Sequence, residues 1–97
     1  MTQLTAKTVL VTGASRGIGL LTAQTLAARG HHVFAGMRDI SGRNREAAQA
    51  LQQSAADAGH VLRVVELDVT SGHDCTRVAA EIELERPLDV LVNNAGI

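Results

Sequence analysis

The segment Thr12-Gly13-Ala14-Ser15-Arg16-Gly17-Ile18-Gly19 constrains this chain more than any other part of it. It follows the β-branched run Lys7-Thr-Val-Leu-Val-Thr12 and opens a stretch of helical period from about Gly17 to Arg29. Each glycine in such a turn relieves a different steric conflict. Gly13 can take the positive φ that swings the chain off the strand. Gly17 lets the backbone approach a phosphate with no Cβ in the way, and Gly19 lets the helix settle closely on a sheet. The helix start then offers unpaired N–H groups and a partial positive charge, which suits an anion. A tight strand-to-helix turn with no ligand would use the same glycines, so this segment alone does not decide function.

The same alternation continues downstream. In the first helix Ile18, Leu21, Thr25 and Leu26 fall on one side, and Gly30 stops it. His32–Met37 predicts a second strand. After Arg38-Asp39 a polar loop leads into a helix over about Gly42–Ala58, with Ala47, Leu51 and Ala55 every four residues and Gly59 as its end. Val61–Val69 predicts a third strand, broken by Arg63 and Glu66. Ser71 through Asp74 fits the capping pattern of a third helix, whose buried stripe is expected to be Cys75, Val78, Ala79 and Ile82. Pro87 closes it, and Leu88–Asn93 is a fourth strand. Such alternation implies a parallel sheet with right-handed crossovers, and near-continuous apolar strands imply that both sheet faces are covered. The outer edge of Leu88–Val92 would be bare, a liability that predicts a homo-oligomer or poor solubility.

Composition excludes several classes. At 97 residues, 45% hydrophobic and 20% charged, the chain fits one globular domain over residues 1–97. A formal net charge of −1 gives no field for nucleic acid or an anionic membrane. No apolar run approaches the ~18 residues of a membrane span, and the N-terminus lacks the order of a secretory signal. Cys75 is the only cysteine, which excludes an internal disulfide and fits a reducing compartment, so the cytoplasm is expected. His31, His32, His60 and His73 lack metal-ligand spacing with Cys75 or a carboxylate cluster and read as structural or surface residues; Cys75 reads as core packing. There is no Tyr, no Trp and one Phe, so a mechanism that needs a tyrosine proton donor cannot run on this chain alone.

The spacing T-G-x-x-x-G-x-G of Thr12–Gly19, with Leu67-Asp68-Val69 at the third strand end and Asn93-Asn94-Ala95-Gly96 at the fourth, resembles the short-chain dehydrogenase/reductase family over the whole chain. The resemblance implies an α/β, Rossmann-like three-layer sandwich, a truncated doubly wound fold with strand order 3-2-1-4. It implies a dinucleotide held by Gly13, Ala14, Ser15, Arg16, Gly17, Ile18 and Gly19. Asp68 would bond the adenine amino group and Val69 pack on the ring, while Asn94, Ala95 and Gly96 would line the ribose. Asp68 as a cap for the following helix, and Asn93–Gly96 as an ordinary turn, remain open alternatives.

Charge selects the cofactor. An NAD site needs a carboxylate at the end of the second strand, and within the family pattern that position is Met37, followed by Arg38. Arg38 and Arg16 can instead bind a 2′-phosphate, which favours NADP over NAD. Asp39 is the competing candidate, able to pair with Arg38 or, after a shift of one residue, to face the ribose. Arg43-Asn-Arg45 reads first as a solvated helix start and second as a phosphate contact.

The family's catalytic Ser, Tyr, Lys and later Asn would all lie beyond residue 97, so no catalytic residue is assigned and this chain is expected to be inactive alone. Asn93 and Asn94 belong to the cofactor motif. The expected function is the NADP(H)-binding part of an enzyme interconverting an alcohol and a ketone. Met37-Arg38-Asp39 with Leu67-Asp-Val faintly resembles members acting on lipophilic alcohols and ketones, steroids and retinoids among them. The alternative is a non-catalytic nucleotide-binding or structural module acting through a partner. A methyltransferase-type nucleoside site fits less well, since its strand end should be acidic.

Overall fold

Four strands alternate with three helices among residues 6–94, the part of the chain that the computed structural model describes. The elements are β1 (Thr8–Val11), α1 (Gly17–Ala28), β2 (His32–Met37), α2 (Arg45–Ala58), β3 (Leu62–Glu66), α3 (Gly72–Glu85) and β4 (Val90–Val92). The strands form one parallel sheet in the order β3-β2-β1-β4, the expected arrangement, with the direction of winding reversing between β1 and β4.

Period-2 alternation sorts the strand residues between two helical layers. Val9, Val11, Val33, Ala35, Met37 and Val64 form one cluster with Ala23 and Ala27 of α1 and Ala48 and Leu51 of α2. Leu10, Phe34 and Val65 point the other way and meet Val78 and Ile82 of α3. β1 is central and all four of its residues are buried. β4 pairs only with β1 among the described residues, and Val90 and Leu91 are exposed. No described helix is long and apolar enough to cross a membrane.

The polar interruptions of β3 have structural partners. Arg63 lies over the Phe34 ring, 5.0 Å from its centroid, and pairs with Glu85 at the end of α3. Glu66 turns its carboxylate onto the loop after β2, accepting from the backbone N–H of Asp39 (2.8 Å) and of Ile40 (3.0 Å).

Two expectations about helix faces are corrected. The buried stripe of α1 is Gly19, Ala23 and Ala27, at four-residue spacing, while Ile18 and Leu21 are 74% and 63% exposed. Close approach of this helix to the sheet leaves room only for small side chains at the contact, so the large ones lie on its flanks. Cys75 is exposed, not core. The first turn of α3 runs past the end of β3, and Cys75 lies 3.9 Å from the Val69 carbonyl, leaving Val78 and Ile82 to meet the sheet. Boundaries also differ: α2 starts at Arg45 and not at Gly42, because the N–H groups of Gly42 and Asn44 both bond the Asp39 carbonyl in a tight turn. Gly59 ends α2 in the left-handed region as expected, with φ 76°.

Candidate functional site

The four strand ends on the carboxyl side converge, and the turn after β1 is fastened to two of the others. The N–H of Thr12 donates to the Val92 carbonyl (3.0 Å), and its hydroxyl accepts from the N–H of Asn94 (2.9 Å) and lies 3.2 Å from Asn93 Oδ1. Ala14 donates to the carbonyl of Gly36 in β2 (3.0 Å). Gly13 has φ 63°, the sharp turn that glycine was expected to supply. Gly19 is pressed against this turn: a Cβ there would lie 2.1 Å from the Gly13 carbonyl oxygen and 2.6 Å from Asn94 Nδ2. Thr12→Val removes the acceptor of the Asn94 N–H while keeping the shape. We expect it to cost about 1–3 kcal/mol in urea unfolding, the usual penalty for an orphaned part-buried donor; an unchanged midpoint would mean that the hydroxyl does not secure β4.

At the start of α1, Arg16 holds an extended N-cap conformation, and neither a capping side chain nor an acidic residue stands in the first turn. Gly17 has φ 63° with open space where a Cβ would be. Its backbone conformation is therefore one that other residues rarely adopt, and none of the described residues comes within 4 Å of that position. The helix N-terminus is left available to an anion.

After β2 the chain turns at Asp39, whose φ is 52°. Asp39 Oδ2 accepts from the N–H of Arg43 (2.9 Å), and Asn44 Nδ2 donates to the Arg38 carbonyl (2.5 Å). The Asp39 carboxylate is thus folded into its own loop and does not line the cavity described below. Arg38 does line it, with its side chain free of hydrogen bonds and ion pairs to the described residues.

After β3, Asp68 Oδ1 accepts from both the N–H (3.0 Å) and hydroxyl (2.6 Å) of Thr70, while the Asp68 N–H donates to Asp74 Oδ2 (3.0 Å). Ser71 caps α3 as expected, accepting from the N–H of Asp74 (3.1 Å). The acid of the pattern, however, reaches Asp68 and not back to Ser71. Arg77 holds Asp74 (3.2 Å), Glu81 (3.0 Å) and the Glu66 carbonyl (2.9 Å). The bonds from Thr70 lower the Asp68 pKa, with a smaller contribution from Arg38. The Asp68 N–H and then Arg77 lower that of Asp74. Because both folded values lie below the unfolded ones, their stabilisation is complete above about pH 4 and is lost as pH falls through the folded values. Carboxyl NMR titration should show both midpoints below the usual aspartate value, with amide protection at Asp68 and Thr70 declining over the same range. A midpoint at or above the usual value would refute this.

These strand ends surround a cavity of about 660 Å3, within the size range of small-molecule and cofactor sites. Of the residues expected from sequence, Gly13, Ser15, Arg16, Gly17, Arg38, Asp68, Val69 and Asn94 line it. Ala14 lies fully buried behind the turn, Gly19 is buried beneath it, and Ile18 is exposed outside the lining. Ala95 and Gly96 lie outside the described residues. The lining also includes Met37, Arg43, Asn44, Leu67 and Thr70. Met37 is the strand-end position read from sequence as lacking an acid, and Arg43 belongs to the cluster read second as a phosphate contact; Leu67 carries no chemical signal in the sequence, and Asn44 and Thr70 enter through loop geometry. Three arginines and one aspartate line the cavity beside an uncapped helix start, a charge balance that suits an anion. Among the described residues no group of three or more His, Cys, Asp or Glu could hold a metal ion.

A family model described as short chain dehydrogenase matches residues 7–97. The chain is 42% identical over 100 residues to retinol dehydrogenase 14 of Mus musculus, covering 94% of this chain and 30% of that protein. It is 40% identical over 97 residues to a 3-oxoacyl-(acyl-carrier-protein) reductase of Rickettsia bellii, covering 100% of this chain and 36% of that protein. Among solved structures, a blue fluorescent protein from a metagenomic library, in complex with NADPH, superposes with a TM-score of 0.83 at 34% identity, over 94% of this chain and 36% of that one. The chain spans about a third of the length of the curated relatives that it matches.

Proposed function

The chain belongs to the short chain dehydrogenase family, and we propose that it forms the NADP(H)-binding portion of an oxidoreductase that interconverts an alcohol and a ketone. The observation that carries the cofactor assignment is the second strand end. Arg38 borders the cavity there while the neighbouring carboxylate of Asp39 is spent on the N–H of Arg43. With no acid facing the ribose, nothing repels a 2′-phosphate, and a guanidinium fork can bind it. NADPH in the related metagenomic protein supports the same choice.

In this reading Gly13, Ser15 and Gly17, with the N–H groups at the start of α1, cradle the pyrophosphate, and Arg16 and Arg38 bind the 2′-phosphate. Asp68 keeps Oδ2 outside its bonds to Thr70, and that oxygen accepts from the adenine amino group. Val69 packs on the adenine ring, and Asn94 lines the adjoining ribose with Ala95 and Gly96. Ala14 and Gly19 shape the turn from behind, and Ile18 flanks it. The residues present fit the dinucleotide: Gly17 leaves the space that its phosphates require, and the cavity is cationic. When bound, the dinucleotide supplies or accepts the hydride.

The two relatives have names that point to different substrates, a retinol and an oxoacyl group, which agrees with this portion serving the cofactor and not substrate choice. Titration of the chain with NADPH and NADH, followed by nucleotide fluorescence, tests the assignment. NADPH should bind more tightly by about tenfold or more, the value of a charge-assisted contact. Equal affinity would defeat it. A second reading, a non-catalytic nucleotide module acting through a partner, is favoured by the lack of any tyrosine in the sequence. Carbonyl-dependent oxidation of NADPH by these 97 residues alone would exclude it.

A further inference from the structure

The 2′-phosphate reading calls on Arg16 and Arg38, yet a third arginine borders the same cavity. Arg43 sits in the turn before α2 and, like Arg16 and Arg38, makes no side-chain hydrogen bond or ion pair with the described residues. Three like charges bordering one cavity repel one another; Asp68 offsets part of this beside Arg38, and a bound anion would offset the rest. The next basic residue, Arg45, is also exposed but does not border the cavity.

The loop that carries Arg43 is held by several hydrogen bonds. Asp39 takes the left-handed conformation that Asp tolerates better than most residues. Its Oδ2 accepts the N–H of Arg43 itself, and its carbonyl accepts from Gly42 and Asn44. Gly42 lies so close to this carboxylate that a Cβ would come within 2.6 Å of Oδ1, so a side chain there would have to displace the carboxylate. Glu66 of β3 fixes the other side of the loop through the N–H groups of Asp39 and Ile40. An acidic residue beside the proposed phosphate thus serves to orient a basic one.

We propose that Arg43 is a third cationic ligand of the adenosine 2′-phosphate and a determinant of cofactor specificity, with Asp39 as the residue that positions it. The proposal rests on the NADP(H) assignment above and takes up the second of the two sequence readings of this loop, a phosphate contact, over the first, a solvated helix start.

Calorimetric titration of the 97-residue chain with adenosine 2′,5′-bisphosphate and with 5′-AMP tests both levels separately. Arg43→Ala should lower affinity for the bisphosphate by about tenfold, as expected for one partly solvated charge-assisted contact, and leave AMP unchanged. Arg45→Ala removes the same charge two residues on and should change neither. If Arg43→Ala behaves like Arg45→Ala, or weakens both ligands equally, Arg43 is not a 2′-phosphate ligand. If the unsubstituted chain fails to prefer the bisphosphate over AMP, the NADP(H) assignment itself falls. For Asp39, Asn keeps an acceptor and tolerates the backbone, whereas Gly keeps only the backbone freedom, and both remove the same charge. Asp39→Asn should retain the preference and Asp39→Gly should reduce it; equal values for the two would overturn the positioning role.

Discussion

Replacing Gly19 by alanine is expected to cost about 3 kcal/mol or more and to abolish nucleotide binding. The added Cβ would sit 2.1 Å from the Gly13 carbonyl oxygen and 2.8 Å from its carbon, both backbone atoms, and 2.6 Å from Asn94 Nδ2. Overpacking against side chains costs roughly 1–3 kcal/mol because neighbours can yield. Here the main obstacle is a turn fixed by Thr12 to β4 and by Ala14 to Gly36. α1 must therefore lift from the sheet, opening the Ala23 and Ala27 contacts and moving the helix start away from the cavity. Against a total stability of about 5–15 kcal/mol for a domain, such a loss is severe. Urea unfolding with NADPH titration would measure it. Gly72→Ala is the control: its Cβ would meet nothing within 4 Å in a helical position, and it should stabilise by about 0.5 kcal/mol through the unfolded chain. Similar midpoints for the two variants would show that the close contact at Gly19 is not decisive.

Arg38→Ala is expected to lower NADPH affinity by about tenfold to a hundredfold, corresponding to roughly 1.5–3 kcal/mol for a hydrogen bond between charged groups. NADH, without the phosphate, should bind as before. The side chain touches no described residue through a hydrogen bond or ion pair, and only its backbone carbonyl is used, by Asn44. The unfolding midpoint should therefore stay in place, which separates a binding effect from a folding one. The preference for NADPH should also shrink as salt rises, because an exposed guanidinium is screened. Equal loss for both nucleotides would indicate a general change at the cavity, and no loss for either would remove Arg38 from the site.

Much of this was legible before any coordinates. β2 runs from His32 to Met37 as the sequence predicts, because a short, mostly apolar run between Gly30 and Arg38 leaves little alternative. The parallel sheet follows from the strand–helix alternation and crossover handedness, which depend on pattern and not on individual contacts, while the order 3-2-1-4 came from the family resemblance. The α1 face was not legible. Hydropathy ranks Ile18 and Leu21 above Gly19, Ala23 and Ala27, but the distance between helix and sheet, set at the Gly13 turn, decides which set is buried. Cys75 misled for a related reason: its helical phase is right, yet the turn that carries it extends past the strand it would have to meet.

The site divides in the same way. The sequence by itself determined the family motifs, the glycine turn after β1 and the absence of an acid at Met37, since these depend on residue type and spacing along the chain. It favoured Arg38 with Asp39 as the competitor, and read Arg43 and Arg45 as one cluster. Only the tertiary structure puts Arg38 and Arg43 at the cavity and leaves Asp39 and Arg45 off it. The Asp39 carboxylate faces its own loop because Glu66, 27 positions away in sequence, holds the N–H groups on either side of the turn. Which of two adjacent charges faces a cavity depends on backbone torsion, and here that torsion is fixed by a contact from another strand.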